Sequence, residues 1–190
     1  MVEMSAVEGG MYQRGVAGDS YNTAIYLARG GCTVSYLTRL GDDPFSDDIV
    51  QRLAQEGIGT ELVTRCAGRQ PGLYLIDNDA DGERRFSYWR DHAPARELFD
   101  GSVQVGGFDV FFFTGITLAV TRADLDNLVT LLARLRDQQC RIVFDPNYRP
   151  RLWDSTEQAR YSYRAVLRHC DTVLTTLEDD RVLWGAGSAE

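Results

Sequence analysis

The stretch IVFDPNYRPRLW, Ile142 to Trp153, starts apolar and turns polar within four residues. Ile142, Val143 and Phe144 are β-branched or aromatic and favour a strand. Asp145, Pro146, Asn147 and Arg149 then end it, since proline cannot continue a central ladder. An acid, an asparagine and arginines delivered together to a strand end mark a place where polarity is wanted. In open α/β sheets, ligands bind outside the carboxyl ends of the strands.

The flanking sequence supports such a sheet. DVFFFTG (109–115) reads as another buried strand, and the following TRADLDNLVTLLARLRDQ places Leu125, Leu128, Val129, Leu132 and Leu135 on one helical face. After the opening stretch, STEQARYSYRAVLRHC predicts a helix and TVLTTL (172–177) a fourth strand. Upstream, TVSYLTRLG (33–41) predicts a strand running into a glycine turn. DDPFSDDIVQRLAQEG follows with helix grammar: Asp43 as cap, Pro44 in the first turn, a stripe of Phe45, Ile49 and Leu53, and Gly57 as stop. Apolar strands alternating with amphipathic helices predict an α/β fold, doubly wound, with a mainly parallel sheet covered on both faces.

GLYLIDNDADGERRFSYWR (72–90) breaks the alternation. It predicts two strands joined around 79–82, a hairpin inserted into the α/β body. Phe86, Tyr88 and Arg90 then point one way, and Arg85, Ser87 and Trp89 the other. With a turn centre near Asp81, Tyr74 and Tyr88 oppose each other and share a face. Such a pair either stabilises the ribbon or belongs to a site. Arg90 on that face favours a site, because a guanidinium is costly to bury unpaired. Arg149 is either a surface arginine at a turn or part of the same polar cluster. Two arginines and two tyrosines gathered at one strand-end cleft suit an anionic, hydroxylated small molecule.

GVAGDSYNTAIYLARGG (15–31) is a glycine turn entering a helix, with Ala24, Ile25, Leu27 and Ala28 as its expected buried face. Unpaired amides at a helix start can bind ligand oxygens. Gly18 lets backbone come close, and Asn22 lies in the first turn. No Gly-Lys-Ser/Thr follows, so this is not a Walker loop. The chain opens without a clear first strand.

Composition narrows the function. The 190 residues, 44% of them apolar, suffice for one domain with a core. A net charge of −8 argues against nucleic acid and anionic membranes as partners. All twenty basic residues are arginine, so no lysine is present to form a Schiff base or clamp a phosphate. There is no apolar run of membrane-spanning length and no signal-peptide pattern at the start. Cys32, Cys66, Cys140 and Cys170 are scattered and the two histidines join no ligand cluster, so neither a structural metal nor a disulfide framework is expected. The expected location is cytoplasmic.

Four stretches together, GDSYNTAIYLAR, YLTRLGDDPFSDDI, PGLYLIDNDADGERRFSYWR and FDPNYRPRLW, resemble the ribokinase-like (PfkB) carbohydrate kinases. The hairpin and FDPNYRPRLW resemble more narrowly the branch acting on 2-keto-3-deoxygluconate. The resemblance runs from about Met1 to about Gly185. It implies one partial ribokinase-like domain over 1–190, with a small β-lid formed by elements at about 6–18 and 72–92. It implies ATP-dependent phosphorylation of the sugar acid on its 6-hydroxyl, with ATP and Mg2+ as cofactors. By the same resemblance Gly18 and Asn22 hold sugar hydroxyls, Tyr74, Tyr88 and Arg90 are lid contacts to substrate, and Arg149 meets the carboxylate end. A homo-oligomer formed through the lid is a further expectation, suggested by Trp89 on its outer face.

Three departures from the family pattern stand out. Its glycine pair is here Ala17–Gly18, and its Asn-x-x-Glu segment reads Thr176-Leu177-Glu178-Asp179. Its Gly-Ala-Gly-Asp segment, which carries the catalytic aspartate, has no counterpart in these residues. No catalytic residue is therefore assigned, and the 190 residues alone are expected to be inactive. The alternatives are another ribokinase-like kinase, of fructose or ribose type, and a non-catalytic fragment.

Overall fold

The computed structural model describes residues 1–78, 83–101 and 103–185. They fall into two units, Met1–Leu98 and Phe99–Glu190.

The first unit opens with a strand over the MVEMS stretch, where composition alone shows no clear strand but the family resemblance implies the tail of one. β1 (Val2–Val7) and β2 (Met11–Val16) form an antiparallel hairpin around Glu8–Gly10, where Gly9 and Gly10 take φ of 79° and 74°. Val2, Met4 and Ala6 alternate with Glu3 and Ser5. That alternation is too polar to read as a buried strand, but it suits an antiparallel sheet with one face in water.

α1 (Asp19–Arg29) follows Gly18 and ends at Gly30. Its inner stripe is Tyr21, Ala24, Ile25 and Ala28, spaced i, i+3, i+4, i+7. Leu27, expected on the buried face, is 42% exposed because the stripe is centred to one side of it. β3 (Thr38–Gly41) is only the last part of the strand expected over 33–41; Ser35 makes an isolated bridge to Gly59.

α2 (Pro44–Gln55) forms as its sequence grammar predicts. The Asp43 carboxylate accepts from the amides of Phe45 (2.9 Å) and Ser46 (3.3 Å), and Gly57 takes φ 73° just past the end. Ile49 and Leu53 pack with Tyr21, Leu40 and Ile58, whereas Phe45 stays exposed beneath the Arg14 guanidinium. β4 (Val63–Cys66) lies parallel to β3.

β5 (Leu73–Asn78) and β6 (Arg84–Trp89) are antiparallel, as predicted, while the expected turn at 79–82 lies outside the described residues. β5 also runs parallel to β1, giving a four-stranded sheet in the order β2-β1-β5-β6.

The second unit is a layered α/β structure. β7 (Val110–Thr114) runs straight into α3 (Gly115–Val120), a short helix the sequence reading did not separate from α4 (Leu125–Asp137). β8 (Arg141–Asp145), α5 (Thr156–Leu167), β9 (Thr172–Val173) and α6 (Leu177–Trp184) complete it. The ladders are parallel in the order β7-β8-β9, with Phe113 opposite Phe144 and Thr114 opposite Asp145.

α4 buries Leu128, Leu131, Leu132 and Leu135, with Leu125 and Val129 half-buried at its flank. Phe113, Phe144 and Tyr163 pack in this core, the first two with ring centroids 4.7 Å apart. β9 is two residues long, not the six of TVLTTL. Thr176 instead caps α6, its hydroxyl accepting from the Asp179 amide at 3.1 Å.

Helices and parallel ladders alternate as an α/β chain should. Among the described residues no helix is long and apolar enough to cross a membrane.

Candidate functional site

Strand register assembles the first group of candidate residues. Tyr74 on β5 is directly opposite Tyr88 on β6, and Glu3 on β1 lies on the other side of Tyr74. Residues paired across a ladder share a face. Gly15, Glu3, Tyr74 and Tyr88 therefore form one row across the four-stranded sheet. The next row toward the strand tips contains Ser5, Ile76 and Phe86.

Ring contacts bind these rows together. Tyr74 lies 5.9 Å from Tyr88 and 6.4 Å from Phe86, and Phe86 stacks on Tyr88 at 6.4 Å. Tyr74 is nearly buried, whereas Phe86 and Tyr88 are exposed. The result is an aromatic platform with a wet upper surface.

Arg90 stands at one edge of this platform. Its guanidinium carbon sits 4.4 Å from the Tyr88 ring centroid, a cation–π contact. Gly72 makes the approach possible: a Cβ there would lie 2.9 Å from the Arg90 Cβ and 3.1 Å from the Met1 sulfur. Burial lowers the Arg90 pKa, partly offset by Tyr88, Asp91 and Asp19. No carboxylate comes within ion-pair distance of Arg90 among the described residues, whereas Arg14, Arg52 and Arg65 each find one. A half-buried arginine left in this state is equipped to receive an anion.

Tyr74 is held from the opposite side. Its hydroxyl donates to Oε2 of Glu3, whose Oε1 accepts from Ser5 Oγ at 3.0 Å. Burial first, then the Glu3 hydrogen bond and charge, push the Tyr74 phenol pKa upward.

Gly18 and Asn22 lie at the same end of the sheet as Arg90. β2 ends at Val16, the Ala17 amide donates to the Met1 carbonyl (3.1 Å), and α1 begins at Asp19. The Asn22 amide donates to the Gly18 carbonyl at 2.8 Å, closing the first turn and leaving the Asn22 side chain exposed. A Cβ on Gly18 would come no closer than 3.8 Å to another residue, so packing within the chain does not require glycine there.

Arg149 belongs to the second unit. After β8 the chain turns through Asn147, which takes φ 35°, in the left-handed region where asparagine is among the tolerated residues. The Asn147 amide donates to the Asp145 carboxylate at 3.1 Å. Tyr148 is buried, and its amide donates to Asp179 at 3.4 Å, which ties this loop to the start of α6. Pro146 is anchored through its carbonyl, which accepts from the Tyr163 hydroxyl at 2.7 Å. Gly115 is necessary here, because a Cβ would collide with that same carbonyl and with the Tyr163 hydroxyl. Arg149 itself is exposed, with Nη1 donating to the Tyr148 carbonyl at 3.1 Å. A packed loop thus presents an exposed guanidinium with one nitrogen bonded to its own loop.

Tyr74, Tyr88 and Arg90 are brought into contact, Gly18 and Asn22 stand at the same sheet end, and Arg149 occupies its own loop in the other unit. Sequence reading missed Glu3 and Ser5. Their signal was the alternation in VEMSAV, which is visible only once that segment is known to be a strand. Among the described residues, no group of three or more His, Cys, Asp or Glu side chains could hold a metal ion.

The family model for pfkB family carbohydrate kinases matches residues 2–190. A 2-dehydro-3-deoxygluconokinase from Dickeya dadantii is 39% identical over 196 residues, covering 97% of this chain and 63% of its own length. The chain thus spans under two thirds of that relative. Among solved structures, a PfkB family carbohydrate kinase from Listeria grayi superposes with a TM-score of 0.90 at 21% identity, covering 100% of this chain and 62% of its own. A sugar kinase from Pyrococcus horikoshii in complex with ATP does so with a TM-score of 0.83 at 18% identity, covering 97% and 63%. The α/β architecture is therefore of the ribokinase-like kind, incomplete relative to those structures, and the chain belongs to the PfkB family of carbohydrate kinases.

Proposed function

We propose that this chain is the sugar-binding part of a kinase that transfers phosphate from ATP to the 6-hydroxyl of 2-keto-3-deoxygluconate, also called 2-dehydro-3-deoxygluconate. The observation that carries the reading is Arg90: a half-buried guanidinium on an aromatic platform, with no carboxylate of its own among the described residues. Family membership and the name of the Dickeya dadantii relative support it. Residues 1–190 are read as one partial ribokinase-like domain with lid elements at about 6–18 and 72–92.

In this reading Arg90 and Arg149 bind the substrate carboxylate. Arginine suits that task because its planar fork matches a carboxylate in two parallel hydrogen bonds. Tyr74 and Tyr88 bond sugar hydroxyls, and their rings shield the bound molecule from water. Gly18 and Asn22, at the start of α1, hold further hydroxyls. The family's use of ATP extends to this proposal, with Mg2+ as its usual companion. The 190 residues alone are expected not to turn over. The reading places the protein in the cytoplasm and takes the opposite lid face, where Tyr12 and Trp89 are exposed, as a contact for a second copy.

Titration calorimetry of the chain against 2-keto-3-deoxygluconate, gluconate, fructose and ribose tests the reading. The keto acid should bind most tightly. Arg90→Ala and Arg149→Ala should each cost at least about tenfold, the range of a hydrogen bond to a charged group. Fructose binding as tightly as the acid, or arginine variants without effect, would sink it.

A further inference from the structure

Glu3 is a carboxylate on the platform face for which the proposal above has no use. It stands between Gly15 and Tyr74 in the row that ends at Tyr88. Two donors converge on it, the Tyr74 hydroxyl on Oε2 and the Ser5 hydroxyl on Oε1. Across the β1–β2 ladder the opposing residue is Gly15, which places no side chain against it.

An ionised carboxylate only accepts hydrogen bonds. The Tyr74 proton is therefore committed to Glu3, and what the phenol oxygen still offers is a lone pair. Such a group can bond a hydroxyl that donates, but not a carboxylate or a ketone oxygen. Glu3 is also a negative charge one row away from Arg90, the positive edge of the same face. A bound acid meets attraction at one row and repulsion at the next.

We infer that Glu3 is a positioning residue: it turns Tyr74 into a hydrogen-bond acceptor for a sugar hydroxyl and drives the substrate carboxylate toward Arg90, so that the acid binds in one orientation. Ser5 holds the other carboxylate oxygen and so fixes the direction from which Glu3 meets the phenol. The inference rests on the sugar-acid reading of this face and goes beyond it in assigning direction to the hydrogen bonds.

Two measurements on the 190-residue chain test it. The first is a double-mutant cycle in affinity for 2-keto-3-deoxygluconate, using Glu3→Gln, Tyr74→Phe and both together. Each single change should weaken binding on the order of tenfold. The pair should be little worse than Tyr74→Phe alone, since both remove one shared arrangement. The second follows the 13Cζ signal of Tyr74, assigned by its loss in Tyr74→Phe, through an alkaline titration. Glu3 from β1 and Tyr88 from β6 are the ionisable groups that act on this phenol. In Glu3→Gln the signal should titrate at lower pH than in the wild type while the near-UV circular dichroism stays unchanged, which separates the lost charge from lost packing, since burial also raises this phenol. Additive losses in the cycle, or an unmoved Tyr74 titration, overturn the inference while leaving wild-type binding intact. A wild-type chain that ignores the keto acid overturns the parent reading, and this inference with it. Should Glu3→Gln not fold, Ser5→Ala perturbs the same carboxylate while keeping its charge; an unmoved Tyr74 signal there is equally fatal, and a moved one supports the pairing.

Discussion

In Phe99–Glu190, the rings of Phe113, Phe144 and Tyr163 pack with centroids 4.7 and 5.5 Å apart and are sealed from water. In Met1–Leu98, the rings of Tyr74, Phe86 and Tyr88 pack at 5.9 to 6.4 Å, yet Phe86 and Tyr88 remain 42% and 46% exposed. The residue types are alike and the ring contacts are similar. The difference is the second layer. β8 carries α4 against it, whereas on the four-stranded sheet Phe86 and Tyr88 face solvent. Aromatic clustering therefore does not mark a site by itself; what sets the exposed cluster apart is that it stands beside a cation with no ion pair among the described residues.

The largest expected effect separates the two clusters by stability. Phe144→Ala should cost about 3–5 kcal/mol, because a cavity opens in a close-packed core. Phe86→Ala should cost under about 1 kcal/mol, because its ring already stands in solvent. Urea denaturation followed by circular dichroism reads both, and equal losses would erase the contrast. Next comes the loop that carries Arg149. Gly115→Ala drives a methyl into the Pro146 carbonyl and the Tyr163 hydroxyl, and overpacking of this kind costs about 1–3 kcal/mol. If the loop's rigidity matters to binding, affinity for the sugar acid should fall as well. A smaller effect is local to the first unit: Asp43→Ala removes the α2 cap, costing about 1 kcal/mol in the same assay without moving sugar affinity.

The smallest effect at neutral pH becomes visible only in alkali. Burial holds the Tyr36 phenol up at about 12 in the first unit and the Cys170 thiol up at about 12 in the second. Unfolded, they ionise near about 10 and about 8.5 respectively. Over the interval between, the unfolded chain has lost protons that the folded chain keeps. Stability is therefore full below the unfolded values and falls as pH rises toward 12. Denaturation midpoints measured from pH 8 to 11 should decline, and Tyr36→Phe should flatten the decline above pH 10. A decline unchanged in that variant would place the alkaline sensitivity elsewhere.

Helices were legible where their signals are local. Asp43, Pro44 and Gly57 specify α2 through neighbours only a few residues away, and Ser155 does the same for α5 by accepting from the Gln158 amide. The opposition of Tyr74 and Tyr88 was legible too, since a hairpin's turn centre sets its register. Leu27 was misjudged because periodicity marks out a stripe without telling which of its edges meets the sheet. TVLTTL shrank to Thr172–Val173 because the Thr176 hydroxyl gave the backbone a helix start in place of a ladder.

The amino-acid order by itself determined the α/β class, the helix caps, the hairpin and the residue types a sugar acid would need, because each is carried by residue types and spacing within short stretches of chain. Only the tertiary structure decided that Glu3 stands beside Tyr74, 71 residues away, and that Arg90 is left without a carboxylate among the described residues. Parallel pairing of β1 with β5 joins strands through a long crossover connection, and no local signal encodes which side chains then share a row.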